Sequence, residues 1–138
     1  ITAKSSMNYQ VDLITGRHQF VADEPAGIGD DAGPCPFDLL LSALASCMII
    51  TVQMYAQRKN WPVTNVQITS EINSQEELLS DGTKKRSSVV SNIITFEGDL
   101  SASQVKRLTE IAGRCPIHRL LMGDFTIHTT APEITETL

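Results

Sequence analysis

The sequence predicts an α+β fold, and three observations carry that expectation. Apolar and polar residues alternate in several short segments, the period of half-buried strands. One uncharged, strongly apolar run, Leu39–Gln57, has no internal proline or glycine, as a long helix requires. A second helical stripe follows a capping signal at Ser101. The resulting order is strands, long helix, strands, helix, strand, which differs from repeated strand–helix–strand units. The chain is expected to form one domain over residues 1–138.

Met7, Tyr9, Val11 and Leu13 alternate with polar residues and predict the first strand; Thr15-Gly16 offers a turn, and Arg17 to Ala22 returns as its partner. Asp23 to Pro36 is rich in glycine, proline, aspartate and alanine and predicts a long loop, a kind of segment that often carries function. Pro36 suits the first turn of a helix, and Asn60-Trp61-Pro62 ends it because the residue before proline is pushed out of the α region. Val63 to Ile72 alternates again, with Val66, Ile68 and Ile72 on one face. Asn73 to Lys85 is polar, with Asp81-Gly82 as a turn signal, and Val90, Ile94 and Phe96 mark the next strand. Ser101 and Gln104 have capping-box spacing ahead of Val105, Leu108, Ile111 and Ala112. Cys115-Pro116 interrupts that helix, Ile117 to Met122 restarts as a short helical turn, and Phe125, Ile127 and Thr129 predict a last strand.

The formal net charge is −5, and lysine and arginine are scattered as Arg58-Lys59, Lys84-Lys85-Arg86 and Lys106-Arg107. That pattern argues against a nucleic-acid surface, which needs clustered positive charge, and offers no polybasic handle for a membrane. Three widely separated cysteines do not make a disulfide framework, and no basic segment followed by an apolar stretch opens the chain. A reducing cytoplasm is therefore expected, where cysteines are reduced, metal-bound or catalytic. The uncharged stretch Leu39–Gln57 approaches the length of a membrane span. Ser42, Ser46, Thr51, Gln53 and Gln57 interrupt it, and a helix apolar all round is equally the centre of a globular core.

Cys47 lies in the middle of this helix. In isolation it reads as a small buried hydrophobe, and as a thiolate it needs a cation that its own helix does not supply. Cys115 sits in Arg114-Cys115-Pro116-Ile117-His118-Arg119, a locally positive setting that favours a thiolate, although basic residues also suit a helix C-terminus. Cys115 and His118 have Cys-x-x-His spacing, but no second ligand pair completes a zinc site, so no metal is expected. Cys35, held between Pro34 and Pro36, is expected in an exposed loop without a role; His18 and His128 are expected in strands. Gly27-Ile28-Gly29 lacks the remaining glycine of a dinucleotide loop.

Three segments together resemble the OsmC/Ohr family, the osmotically inducible protein C and organic hydroperoxide resistance proteins. They are Gly33-Pro34-Cys35-Pro36-Phe37-Asp38 running on to Cys47, Met54 to Pro62, and Ile111-Ala112-Gly113-Arg114-Cys115-Pro116-Ile117-His118-Arg119. In the Cys-Pro-x-His-Arg form of the last the chain resembles one branch of that family. The resemblance implies an OsmC-like fold, with antiparallel sheets packed on two main helices, and an intertwined homodimer with the long apolar helix central. It implies that Cys47 attacks an organic hydroperoxide, that Cys115 resolves the product to a disulfide, and that a dithiol such as a lipoyl group reduces it, with no resident cofactor. It also implies an arginine from the N-terminal strands beside the attacking thiol, for which Arg17 is the candidate, with Asp38, His118 and Arg119 in support. The chain departs from the pattern at Phe37, where the family carries a glutamate that pairs with that arginine; the carboxylate here is Asp38, about 100° further round the helix. That departure motivates an alternative, a non-peroxidatic redox sensor or small-molecule binder of the same fold.

Overall fold

A computed structural model describes residues 1–130 of the chain. Its elements are β1 (Thr2–Ser5), β2 (Val11–Thr15), β3 (His18–Ala22), α1 (Pro36–Lys59), β4 (Val63–Leu78), β5 (Lys84–Gly98), α2 (Ala102–Ala112) and α3 (Pro116–Met122). The first three strands form one antiparallel sheet in the order β1-β2-β3, and β4 and β5 form a separate antiparallel hairpin.

The 24 residues of α1 make a rod about 36 Å long. Pro36 occupies its first turn, and the Asp38 carboxylate reaches back to the Cys35 N–H at 3.4 Å. At the other end Asn60 turns left-handed (φ 54°), and the Trp61 N–H closes on the Ala56 carbonyl at 2.9 Å, so the chain leaves the helix before Pro62. Leu44, Met48, Val52 and Ala56, four residues apart in succession, form the buried stripe. They meet Val66 of β4, Leu108 and Ala112 of α2, and Cys115. The other apolar faces of α1 are uncovered within one chain: Ile50 and Met54 are exposed, Met54 by 66%. By length and composition α1 could cross a membrane, but here it carries the core stripe on which β4 and both shorter helices pack.

The capping box that opens α2 forms as the spacing predicts: Ser101 Oγ accepts from the Gln104 N–H at 3.3 Å, and Gln104 Oε1 accepts from the Ser101 N–H at 2.8 Å. Three boundaries differ from expectation. Met7 and Tyr9 lie not in a strand but in the turn between β1 and β2, where Asn8 is left-handed. The polar stretch after Ile72 continues as strand on both sides of the Leu79–Thr83 turn, because backbone ladders need no apolar face and Glu76 pairs across with Lys84 and Arg86. Phe125 to Thr129, with His128, forms no strand. Alternation alone cannot make one: a strand also needs a neighbour to take its hydrogen bonds, and these residues pair with no strand among those described.

Candidate functional site

Helix α1 brings Cys47 to the side of the buried stripe, half-buried, with its carbonyl accepting from Thr51 Oγ1 at 2.8 Å. Cys115 arrives from the other direction. After Gly113 ends α2, the chain turns, and Cys115 takes an extended conformation as the N-cap of α3, with Pro116 in the first helical position. Its Sγ accepts the His118 N–H at 3.2 Å, and the residue is 0% exposed. The two thiols, 68 residues apart in the chain (115 − 47), are brought into one packed cluster. No disulfide joins any of the three cysteines.

Burial, above all, pushes the Cys115 thiol up from its ordinary value; the neighbouring Cys47 pushes the same way, and the amides of His118 and Ile117 oppose. The positive sequence surroundings of Cys115 therefore do not make it a ready thiolate: Arg119 turns outward and is exposed, and His118 contributes its backbone N–H to the sulfur. Of the pair, Cys47 is the thiol that solvent can reach.

Beside the pair lies a mainly apolar groove of about 430 Å3. Thr51, Met54, Tyr55 and Arg58 line it from α1, opposite Ile111 and Arg114. Arg58 stacks over the Tyr55 ring at 5.5 Å and Arg107 at 5.7 Å, and the Arg107 Nε–H donates to the Tyr55 hydroxyl at 3.3 Å. That hydrogen bond, with the positive charges of Arg107, Lys59 and Arg58, holds the Tyr55 phenol below its ordinary value.

The remaining sequence candidates stand apart. Arg17 lies exposed in the β2–β3 turn, and no hydrogen bond or ion pair joins it to another described residue. Asp38 is spent on capping α1, nine residues and about 14 Å along the helix axis from Cys47, so it does not reach the thiols. Phe37 beside it is exposed. Cys35 is half-buried as the N-cap of α1 rather than exposed in the loop. Among the described residues no three His, Cys, Asp or Glu side chains are grouped to hold a metal.

One residue that the sequence reasoning passed over organises the approach to α1. Asp23, 2% exposed at the end of β3, accepts from the N–H groups of Glu24 (2.8 Å), Asp30 (3.1 Å) and Ala32 (3.0 Å), folding the long loop around its carboxylate. The Ala32 amide is the chief cause that lowers the Asp23 carboxyl below its ordinary range, against the opposing effect of burial. Glycine is required where this loop passes β3: a Cβ on Gly33 would collide with the Val21 carbonyl.

The family profile described as OsmC-like protein matches residues 29–130, a span that includes both thiols, α1 and the groove. No curated protein matches the sequence. Among solved structures, an OsmC-like protein from Mycoplasma pneumoniae superposes with a TM-score of 0.66 at 22% identity, covering 88% of this chain and 85% of the other. The organic hydroperoxide resistance protein OhrB of Bacillus subtilis superposes with a TM-score of 0.61 at 21% identity, covering 89% of each chain. An organic hydroperoxide resistance protein from Legionella pneumophila gives 0.62 at 19% identity, covering 88% and 87%. At these identities the superpositions establish the shared fold, and the matched profile establishes the kinship: the chain belongs to the OsmC-like protein family.

Proposed function

We propose that this protein is a cytoplasmic thiol-dependent peroxidase that reduces organic hydroperoxides to alcohols. One observation carries the proposal: two unpaired cysteines from separate elements pack into one cluster, Cys47 half-buried one helical turn from the groove-lining Thr51 and Cys115 fully buried next to the groove-lining Pro116. Cys47, as thiolate, attacks the terminal oxygen of the hydroperoxide; the O–O bond breaks, the alkoxide leaves and takes a proton, and Cys47 becomes a sulfenic acid. The Cys115 thiol then displaces hydroxide from that sulfur, its proton leaving with it as water, and a Cys47–Cys115 disulfide forms. A small external dithiol, a lipoyl group in this proposal, reduces the disulfide by exchange and is itself oxidised to the cyclic disulfide. The apolar lining suits an organic substrate over hydrogen peroxide.

The working unit is a homodimer with α1 at its centre. The exposed Ile50 and Met54 on α1 and the exposed Met7 and Tyr9 in the β1–β2 turn support this, because such apolar surface is normally covered. In that dimer Arg17 from one copy supplies the positive charge that the thiols lack within a single chain.

The test is turnover of cumene hydroperoxide with a lipoyl dithiol. Wild type should consume peroxide catalytically and Cys47→Ser should fall to background, while Cys115→Ser should stall after one oxidation. Equal peroxide consumption by wild type and Cys47→Ser would sink the proposal. The exchange of the family's glutamate for Phe37 favours a second reading, a redox sensor; in that case intact mass would show the disulfide, the loss of two hydrogens, without turnover.

A further inference from the structure

We infer that the groove between α1 and the turn from α2 to α3 binds an amphipathic anion, a ligand with a hydrocarbon body and one negatively charged head that Arg58 and Arg114 receive. This goes beyond the thiol chemistry, because it assigns a ligand class to the groove whether or not peroxide is turned over.

Basic residues that are scattered along the sequence are gathered here by the fold. The Arg58 guanidinium lies 5.5 Å from the centre of the Tyr55 ring, that of Arg107 lies 5.7 Å away and the Lys59 ammonium 6.0 Å. Arg114 lines the same groove from the opposite wall. The carboxylate that pairs within this group is Glu110, and Arg107 takes it at 2.9 Å. Among the described residues Arg58, Lys59 and Arg114 have no acidic partner. Four cations thus face one carboxylate in a chain whose net charge is −5, so the positive excess is local. Tyr55 responds to it: the Arg107 hydrogen bond first, then the charges of Arg107, Lys59 and Arg58, favour its phenolate.

The rest of the lining decides what kind of anion fits. Thr51, Met54, Ile111 and Pro116 leave the groove mainly apolar, and its volume of about 430 Å3 lies in the range of small-molecule sites, about 300–1,000 Å3. Thr51, Tyr55 and Arg58 stand at positions i, i+4 and i+7 on one face of α1, about 10 Å from first to last. A guanidinium binds a carboxylate or a phosphate through parallel N–H donors and tolerates an apolar neighbour better than an ammonium does. A bare inorganic anion would leave the hydrocarbon wall unused, and a neutral hydrocarbon would leave both guanidinium groups without a partner.

Calorimetric titration of the full chain with octanoate, octyl phosphate, octanol and inorganic phosphate tests the site. The better of octanoate and octyl phosphate should bind at least about tenfold more tightly than octanol or inorganic phosphate, and the order of those two identifies the head as carboxylate or phosphate. Arg58→Gln and Arg114→Gln each remove a charged donor and should weaken that ligand about tenfold while octanol is unaffected. Lys84→Gln, which makes the same charge change on the β4–β5 ladder, should leave every affinity as it was. Octanol or inorganic phosphate binding as tightly as the amphiphiles, or arginine variants that bind like the parent, would overturn the inference. So would a failure of both amphiphiles to bind, the result expected if a second copy of the chain fills the groove. The titration needs no peroxide, so a protein inert to cumene hydroperoxide that still binds octanoate loses the peroxidase reading and keeps this one.

Discussion

The helical part of the molecule and its N-terminal sheet solve the burial problem in opposite ways. Around α1, a stripe of four residues closes on Val66, Leu108, Ala112 and Cys115 and leaves the second thiol dry. The β1-β2-β3 sheet makes little contact with that body. Met7 and Tyr9 in its β1–β2 turn are 74% and 61% exposed, and Phe20 on β3 is also uncovered. The helical region closes a dry core on one face of α1 and leaves Ile50 and Met54 uncovered on another, whereas the strands of the sheet bury only Ala22. The proposed residues divide along the same line, with the thiols in the closed region and Arg17 in the open one.

The sharpest way to break this contrast is to spoil the open region. Phe20→Asp should reduce the sedimenting mass from two chains to one and lower peroxide turnover severely, while far-ultraviolet circular dichroism stays that of a folded chain. A wild type that sediments as one chain would refute the dimer. The closed region should respond instead in stability. Leu108→Ala removes a fully buried side chain next to the thiols and should cost about 2–5 kcal/mol in denaturant unfolding. A loss under about 1 kcal/mol would mean that the core is less closed than its burial indicates.

Asp23 joins the two regions, and its removal should have an intermediate effect. Asp23→Ala leaves three inward amides without their acceptor and should lower Tm by roughly 5–10 °C. The sign of the pH effect follows from the lowered carboxyl. In the wild type its contribution is full above about pH 5 and is lost as pH falls below the ordinary 3.8 toward the lowered value, because folding then has to exclude a proton that the unfolded chain binds. Asp23→Asn should flatten that acid limb, and an unchanged limb would show that the carboxylate is not what holds the loop. The smallest effect belongs to the groove. Arg107→Gln should move the tyrosinate absorbance of Tyr55 back up toward 10.0, since its hydrogen bond is the leading cause of the lowered value.

Much of the closed region could be read from the sequence, because it rests on local rules. Pro36 and Asn60-Trp61-Pro62 bound α1, and Ser101 and Gln104 open α2, through contacts within a few residues. The β4–β5 ladder was legible only where one face is apolar; past Ile72 the pairing runs through backbone and surface charges, which leave no periodic trace. The Phe125–Thr129 segment shows the reverse, a pattern without a partner. At the site, composition read Cys47 as a small buried hydrophobe, the family resemblance paired it with Cys115, and the local sequence misjudged the surroundings of Cys115. Arg114, His118 and Arg119 suggest a charged Cys115, yet the turn after α2 drives its sulfur inward and sends the Arg119 side chain out. Asp23 could not be told from Glu24, Asp30 and Asp31 in the same loop, since only the fold decides which carboxylate the amides surround.

The depth of Cys115 also bears on how this chain would wear. Within the pair, an oxidant arriving from solvent meets Cys47 before Cys115, so oxidation of these two would begin at Cys47. A sulfenic acid formed there is already against a reduced thiol, and closing the disulfide competes at once with a second oxidant that would carry the sulfur to an irreversible acid. Placing one thiol in the dry interior thus fixes the order in which the two can age.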